Sequence, residues 1–514
     1  MHEKDYLDAA LAEGAALAAG DVSLDGPLAS LASVPGAETL LLGTSVYREP
    51  VEKAALLYQV GRPAPEAGNL DEWRTAEQRI HEILSRADVP PGEVDIEELP
   101  EPLRTALAPY WDIEPIPPVR ADDLESALDA CLASGLLVTD SAGLFFVPRW
   151  TAAELARRAV RDDRRDDVIA AHGRAADYWR WHLQAWARGS AAQAADLSEV
   201  HHHYSQAYGL GDLASAEDLA LSSFVLATIL DRLGRHAESL PHYQRAVSLR
   251  RDLADETVPE TLVRLAESLN ELGTQLSRMG RAEESLDAAY EAAAVFRQLN
   301  AAEPGAFESE LTAVLGNLAN RLAGMGRTED ALQLLLSESI PVLRRLAAAD
   351  PETHEPDLAH ALTNLSPLLD QANRQEEALS VGAEAIELGR RHAATGEPDR
   401  VGALAAALDN FGGLLAAADR YEEAIDAGAE SVSLFRRLAA IVPAAQSDLA
   451  LALRNLGATL AEADRRDEAV RALTEAVALY RRLAAANPGG YRDSLAAATR
   501  QLEESRDSPA GREP

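Results

Sequence analysis

The chain has 514 residues, 47% of them hydrophobic, which is enough to build packed cores and too long for one compact domain. Its net charge of −36 repels phosphate backbones, so we expect no nucleic-acid ligand. The chain has a single cysteine, Cys131, which excludes an internal disulfide and a thiolate metal cluster. It shows no signal-peptide pattern and no apolar run long enough to span a membrane. These features predict a cytoplasmic protein with no membrane partner.

The first 150 residues predict a short helical segment, 1–30, and a small α+β domain, 31–150. Within the domain, residues 40–58 predict two short apolar helices broken near Pro50. Residues 122–133 predict another helix, and residues 136–147 predict a β-hairpin whose turn runs from Asp140 to Gly143. Helices followed by a small hairpin are the element order of a winged helix, so we predict a winged-helix-like domain.

A stretch rich in proline and acidic residues, 61–121, interrupts this domain, and we predict an irregular insertion there. Winged helices often bind DNA through a helix that carries basic residues. The helix at 122–133 carries four acidic residues and no basic one. Such a helix repels phosphate, so we expect it to have a packing role.

Residues 151–220 predict a helical connector, which contains Tyr178, Trp179 and three consecutive histidines, His201 to His203. Successive residues of a helix point about 100° apart, so the three histidines cannot ligate one metal ion. We predict no metal site and no cofactor for this chain.

Residues 221–505 contain six copies of one turn sequence, in which Gly, Asn or Asp is followed by arginine and then by acidic residues. The turns begin at Gly234, Gly280, Gly326, Asn373, Asp419 and Asp464, which are 46, 46, 47, 46 and 45 residues apart. Gly, Asn and Asp tolerate the positive φ that ends a helix, and acidic residues favour the first turn of the next one. Each copy therefore predicts a helix A, a tight turn and a helix B.

Small residues recur in phase with the turns, once in helix A and twice in helix B. The three series are Ala227, Gly273, Ala319, Ser366, Gly412 and Gly457; Ser239, Ser285, Ala331, Ala378, Ala424 and Ala469; and Ala246, Ala292, Ser339, Ala385, Ser431 and Ala476. Two antiparallel helices pack closely only where one of them offers a small side chain. A more polar helix near 492–504 is expected to cap the stack, and the tail 506–514 is expected to be disordered.

The Leu-small pair in helix A and the two small residues in helix B resemble the tetratricopeptide signature, although the usual period is about 34 residues. Longer repeats of this kind resemble those of kinesin light chains and of actinobacterial regulators. The resemblance implies a mostly α fold, a right-handed α-solenoid of helix-turn-helix repeats preceded by the small winged-helix-like α+β domain.

The order of the N-terminal elements and the repeats resembles the C-terminal half of actinobacterial STAND signalling ATPases. In that family a winged helix and a helical segment connect a nucleotide-binding domain to a sensor array of repeats. This chain departs from the family because it contains no G-x-x-x-x-G-K-[ST] phosphate-binding loop. We find no other motif of catalytic residues and predict that the chain is not an enzyme.

In the kinesin-light-chain-like family, the residue just before the Leu-small pair of helix A points into the concave groove. Here that position holds Asn317, Asn364, Asn410 and Asn455, and Asn270 and Arg454 lie one step along the same face. The resemblance implies that these amides pair with the backbone of an extended peptide, since an amide carries both donors and an acceptor. Alternatively, each asparagine bonds to a neighbouring repeat and holds the stack. The sequence leaves both interpretations open.

Paired arginines recur on helix B. They are Arg250-Arg251, Arg344-Arg345, Arg390-Arg391, Arg436-Arg437 and Arg481-Arg482. They could form a basic stripe for an acidic partner, but pairing with the many glutamates is the interpretation that we favour.

These patterns predict a non-catalytic interaction module, a sensor or adaptor that binds a protein or peptide in the groove of the repeats, in bacterial signalling or defence. A separate ATPase or effector protein is a candidate partner. The alternative is a structural subunit that oligomerises, or that assembles with such an ATPase or effector. The sequence does not predict the oligomeric state.

Overall fold

The computed structural model describes residues 24–64, 68–87, 99–111, 113–186, 189–394, 396–442, 445–486 and 488–507. Chain contacts divide it into two units, Met1–Asp255 and Glu256–Pro514. The part of the predicted N-terminal helical segment before residue 24 and the part of the predicted tail after residue 507 lie outside the described residues.

The described part of the first unit starts with three short helices, α1 (Asp25–Leu31), α2 (Ala37–Thr44) and α3 (Lys53–Val60). Its later helices are α4 (Leu70–Arg86), α5 (Glu101–Trp111), α6 (Leu124–Ala133), α7 (Arg149–Arg161), α8 (Arg165–Ala185), α9 (Gly189–Gly209), α10 (Ala216–Arg232) and α11 (His236–Leu253). Two small antiparallel sheets are present, in which β1 (Arg62–Pro63) pairs with β2 (Val119–Arg120) and β3 (Val138–Thr139) pairs with β4 (Phe145–Phe146).

The two apolar helices predicted on either side of Pro50 are α2 and α3, and the predicted hairpin is β3–β4, so both predictions are confirmed. The Asp140 carboxylate accepts backbone N–H bonds from Ala142 at 2.8 Å and Leu144 at 2.9 Å, and Gly143 takes a φ of 81°. An aspartate that caps its own turn in this way fixes the hairpin. Side chains from α2, α3, α6 and the hairpin share one buried core that includes Leu40, Leu56, Leu128 and Leu137.

The segment 61–121 is not the irregular insertion that its composition predicts. It contains the 17-residue helix α4 and the 11-residue helix α5. Helix α4 has no proline or glycine, and its Trp73 and Ala76 are buried. Proline disrupts a helix only from the interior, where it removes a hydrogen bond, so the prolines before and after α4 leave it intact.

The six predicted helical hairpins are all present. The first is α10–α11, in the first unit. The second unit contains α12 (Pro259–Arg278), α13 (Ala282–Ala302), α14 (Glu308–Gly324), α15 (Thr328–Leu334), α16 (Ile340–Ala349), α17 (Pro351–Gln371), α18 (Gln375–Ala393), α19 (Pro398–Ala417), α20 (Tyr421–Ala439), α21 (Gln446–Glu462), α22 (Arg466–Ala486) and α23 (Pro488–Asp507). Within the second unit, successive helices pack against one another as an α-solenoid, and the helix predicted near 492–504 is α23.

The turn of each repeat has the geometry that its sequence predicts. The first turn residue is left-handed in all six, with φ of 73° at Gly234 and Gly280, 76° at Gly326, 60° at Asn373, 58° at Asp419 and 59° at Asp464. The arginine that follows donates its backbone N–H across the turn, for example from Arg281 to the Leu276 carbonyl at 2.9 Å. This bond closes helix A with a Schellman-type cap.

The same arginine then binds the first turn of helix B through its side chain. The contacts are Arg235–Glu238 at 2.7 Å, Arg281–Glu284 at 2.6 Å, Arg327–Asp330 at 2.6 Å, Arg374–Glu377 at 2.7 Å, Arg420–Glu423 at 2.5 Å and Arg465–Glu468 at 2.8 Å. These pairs are exposed, so solvent screens them and each stabilises its hairpin only slightly.

A seventh turn of this kind joins α7 to α8, where the sequence analysis placed no repeat. Asp163 has a φ of 59°, and the Arg164 N–H donates to the Ala159 carbonyl at 2.7 Å. The Arg164 guanidinium contacts Asp167 at 2.7 Å. The run Asp163-Arg-Arg-Asp-Asp167 matches the sixth repeat turn in type, so its local sequence carried the signal.

The third repeat departs from the others in helix B. Its two small residues, Ala331 and Ser339, are eight positions apart, whereas the equivalent Ala378 and Ala385 are seven apart. The backbone absorbs the additional residue in a π-helical segment, Leu335–Ser339, between α15 and α16. This insertion accounts for the 47-residue spacing between the turns at Gly326 and Asn373.

Among the described residues, one stretch, Leu213–Arg232, is long and apolar enough to cross a membrane by length and composition, and 50% of its apolar window is buried inside the protein. It includes α10, whose Leu219 and Ala227 have no exposed surface. The core helix of a repeat meets the same criteria.

Candidate peptide-binding groove

Helices A of the second unit, α12, α14, α17, α19 and α21, carry the predicted asparagines, and the structure assigns them different contacts. Asn317 on α14 donates its amide to the Asn270 side-chain oxygen on α12 at 3.0 Å. Arg321 on α14 donates to the Asn270 backbone carbonyl at 3.1 Å and to the Thr274 hydroxyl at 3.0 Å. Asn270 and Asn317 therefore join the second repeat to the third.

Arg321 was not singled out from the sequence, although it is the most buried charge on this face. Burial lowers its pKa to about 10. Its Nη1 atom is buried and has no hydrogen-bond partner among the described residues. A Cβ atom at Gly273 would lie 3.0 Å from the Arg321 Nη2 atom, so the glycine of the tetratricopeptide-like pattern also makes room for this guanidinium.

A second inter-repeat contact lies at the other end of the unit. Asn455 on α21 donates its amide to the Asp409 carboxylate on α19 at 2.9 Å. Arg454 donates to the Asn455 oxygen at 3.4 Å. Burial raises the pKa of Asp409, and the Asn455 hydrogen bond and the Arg454 charge lower it. Asn455 and Arg454 therefore hold the sixth repeat against the fifth.

The two middle asparagines have no such contact. Asn364 on α17 lies 3.2 Å from the His360 Nε2 atom one turn earlier in the same helix, and Asn410 on α19 is exposed. The structure thus divides the predicted asparagines into two groups. Asn317 and Asn455 bond to neighbouring repeats, whereas Asn364 and Asn410 present their amides at the surface.

A cavity of about 310 Å³ lies between α14 and α17. Helix B of the third repeat, which runs from α15 to α16, forms its remaining wall. Asn317 and Asn364 both line it, and Leu335 and Leu343 form an apolar wall. Gly316 also lines it, and a Cβ atom at that position would meet no other atom within 4 Å. The cavity therefore combines two amides, an apolar wall and open backbone.

The cavity adjoins the π-helical segment, because Leu335 is the first residue of that segment. Its last residue, Ser339, is fully buried, and its hydroxyl has no hydrogen-bond partner among the described residues. In the fifth repeat the equivalent Ser431 hydroxyl donates to the Ala405 carbonyl at 2.7 Å. The helix-to-helix bond that Ser431 makes is therefore not formed by Ser339, beside the cavity. Single π-turns within α-helices are often found at functional sites.

Three of the five arginine pairs of helix B contact glutamates of adjacent helices. In each of the three, one arginine contacts the next helix B, at Arg344–Glu384 (2.7 Å), Arg390–Glu430 (2.6 Å) and Arg436–Glu475 (2.9 Å), and the single arginine Arg297 makes the same contact with Glu338 (2.9 Å). Two of the second members contact helix A of their own repeat, at Arg345–Glu308 (2.5 Å) and Arg391–Glu355 (2.8 Å). The favoured interpretation, pairing rather than a free basic stripe, is confirmed for these residues.

The three consecutive histidines on α9 face different neighbours. The Nδ1 atoms of His203 and His172 lie 3.0 Å apart, and His201 Nδ1 lies 3.2 Å from the Ser223 hydroxyl. Burial lowers the pKa of His172 and His201 to about 4 and that of His203 to about 2. Within the described part of the chain, no group of three or more His, Cys, Asp or Glu side chains is placed to hold a metal ion.

One comparison assigns a family to the sixth repeat. Residues 449–487 match the tetratricopeptide-repeat family. The match covers most of α21 and all of α22. The other hairpins share the turn geometry of this tetratricopeptide repeat, and repeats of this type build extended surfaces that bind other proteins. No protein of curated function matches the chain.

Several solved structures are similar at low identity. BtubC from P. vanneervenii is 20% identical over 49% of this chain and 92% of its own, with a TM-score of 0.39. A Rap protein complexed with competence and sporulation factor is 13% identical over 69% of this chain and 94% of its own, with a TM-score of 0.39. A STAND protein with a tetratricopeptide repeat sensor from Pyrococcus horikoshii is 11% identical over 93% of this chain and 64% of its own, with a TM-score of 0.35.

Proposed function

We propose that this chain is a non-catalytic sensor or adaptor that binds an extended peptide segment of another protein along its helices A. The observation that carries the proposal is the cavity between α14 and α17, which Asn317, Asn364 and the open position at Gly316 all line. An amide can donate to a peptide carbonyl and accept from a peptide N–H, so it binds main chain regardless of sequence.

The proposal assigns the predicted residues unequal weights. Asn364 and Asn410 bind the peptide, because their amides are at the surface. Asn270, Asn317, Asn455 and Arg454 contribute mainly by fixing the spacing of the helices A that form the groove. A peptide side chain enters the cavity and packs against Leu335 and Leu343.

We further propose that the protein acts in the cytoplasm, in bacterial signalling or defence, with a separate ATPase or effector as its partner. The supporting observation is the order of helices, hairpin, connector and repeats, which resembles the STAND proteins without their phosphate-binding loop. The winged-helix-like domain then has a packing or partner-binding role. The alternative, a structural subunit, predicts a discrete oligomer whose formation does not depend on Asn364 or Asn410.

The test is selection of peptides from a random displayed library on the immobilised full chain, followed by affinity measurements on synthetic copies. We expect Gly316→Leu, which fills the cavity, and the Asn364→Ala/Asn410→Ala pair each to weaken binding by about tenfold or more, because each loses buried contacts or hydrogen bonds. Gly324→Leu, an open position at the end of the same helix, is the matched control and is expected to leave the affinity unchanged.

Selected peptides that bind all these variants equally would refute the groove. Sedimentation velocity of the same preparations addresses the alternative, because an oligomer that persists in the asparagine variant and yields no peptide binders would favour the structural subunit.

A further inference from the structure

The first unit contains a second and larger cavity, of about 830 Å³, that the groove proposal does not use. Helix α8 forms one wall. The ends of α3 and β1, the start of α4 and the segment before β2 form the opposite wall. A volume of this size fits a small organic molecule, since ligand cavities are about 300–1,000 Å³.

Arg174 on α8 lines this cavity, and Asp167 favours its charge without forming an ion pair with it. Its Nε atom donates to the Gln59 side-chain oxygen at 3.3 Å, and no carboxylate of the described residues lies within 4 Å of its guanidinium. Burial lowers the pKa of Arg174. Other arginines of this unit are paired, as Arg158 is with Asp25 at 2.6 Å and Arg164 with Asp167 at 2.7 Å. A half-buried guanidinium that forms no ion pair favours binding of an anion.

The rest of the lining is largely apolar and aromatic near the arginine. Trp181 lies two helical turns after Arg174 on the same face of α8, and Tyr58 lies beside it, with ring centroids 6.4 Å apart. Val119 and Ile116 close the opposite side, and the Ile116 side chain is exposed although large and apolar. These surfaces suit the flat or aliphatic body of a ligand whose charged end reaches Arg174.

Carboxylates at the rim limit the charge of the ligand. Asp71 and Glu72 stand in the first turn of α4, and Asp177 lies on α8 at 4.0 Å from Arg180. Arg180 also donates to the Tyr204 hydroxyl at 3.1 Å, so its charge is partly engaged. Three carboxylates outnumber the two arginines of the lining, so they repel a polyanion such as phosphate more strongly than a ligand with a single negative charge.

We propose that this cavity binds an amphipathic monoanion, an organic carboxylate or sulfonate with an apolar body, whose charged group pairs with Arg174 while its body packs against Trp181 and Tyr58. The site lies in the first unit and is independent of the peptide groove. It gives the chain a small-molecule input distinct from its proposed protein partner.

The probe is anilinonaphthalene sulfonate, a fluorescent aromatic monoanion, titrated into the full chain alongside its neutral analogue phenylnaphthylamine. We expect saturable binding of one sulfonate probe per chain, displaced by octanoate and not by inorganic phosphate. Arg174→Gln should weaken the sulfonate probe about tenfold, because a hydrogen-bonded charge pair is lost, and should leave the neutral probe unaffected.

Arg174→Lys keeps the charge and should retain most of the affinity. Arg165→Gln, on the opposite face of α8 and exposed, is the matched control and should change nothing. Circular dichroism of each variant establishes that it is folded. Binding that does not saturate, displacement by phosphate, or equal weakening of both probes in folded Arg174→Gln would overturn the proposal.

Discussion

The contact between Asn455 and Asp409 offers a quantitative test of how the repeats hold together. Asn455→Ala removes the amide that donates to the partly buried Asp409 carboxylate at 2.9 Å. A hydrogen bond to a charged group contributes about 1.5–3 kcal/mol, and the partial exposure of this pair places our expectation at about 1–2 kcal/mol. Asn410 is exposed and lies one residue after Asp409, so it is the control. Asn410→Ala should lower the free energy of unfolding by less than about 0.5 kcal/mol.

The assay is hydrogen exchange of backbone amides in α21, measured by mass spectrometry with urea unfolding of the same variants. A loss of 1.4 kcal/mol corresponds to about tenfold faster exchange through local opening of the last repeats. A double-mutant cycle with Asp409→Ala isolates the pair. A coupling free energy below about 0.5 kcal/mol, or equal effects of Asn455→Ala and Asn410→Ala, would refute the assignment of Asn455 to the stack.

Three further predictions concern stability. The pKa of His172 falls from 6.5 to about 4 on folding, so the unfolded chain binds a proton first as pH drops through this range, and His172 alone should lower the stability of the first unit by about 3 kcal/mol at pH 4; urea unfolding against pH checks this, and His172→Gln should make the profile shallower, with the remaining slope due to His201 and His203. A Cβ atom at Gly457 would lie 2.6 Å from Leu473 Cγ, so Gly457→Ala should destabilise the protein by about 1–3 kcal/mol in thermal unfolding. Gly324→Ala adds a methyl group in open space and should stabilise the protein by up to about 1 kcal/mol. Arg390→Gln should lower the free energy of unfolding by less than about 1 kcal/mol, and 1 M salt should remove this difference from the wild type. A loss of stability that persists in salt would contradict a screened, exposed pair.

The sequence predicted the features that depend on local chemistry. The left-handed turn residues Asn373, Asp419 and Asp464 follow from the few residue types that tolerate positive φ. The predicted small residues are buried between paired helices, as Ala319 and Ala385 show, because helix packing at close range leaves no other choice. The hairpin at 136–147 follows from its turn residues.

The features that depend on tertiary contacts were missed or left open. Helix α4 was hidden by the proline-rich composition around it. The two interpretations of the asparagine positions could not be separated, because Asn364 and Asn455 occupy the same repeat position and differ in what the preceding helix A offers, Gly316 in one case and Asp409 in the other. The sequence did contain a sign of the cavity beside Gly316, because Ala331 and Ser339 are eight residues apart where the other repeats have seven. The additional residue could be interpreted only after the structure showed the π-helical segment that contains it.

The arginine–glutamate contacts between successive helices B have a consequence for how this protein could change over evolutionary time. Each contact joins the same two residue types across 39–41 positions, so the arginine of any repeat matches the glutamate of any following one. Duplication or deletion of one 46-residue block would therefore restore a complete set of pairs at the new junction. Such changes in the gene could lengthen or shorten the binding surface by one helix A at a time. The protein could then bind a longer or shorter partner segment, and the contacts between its helices B would need no further substitution.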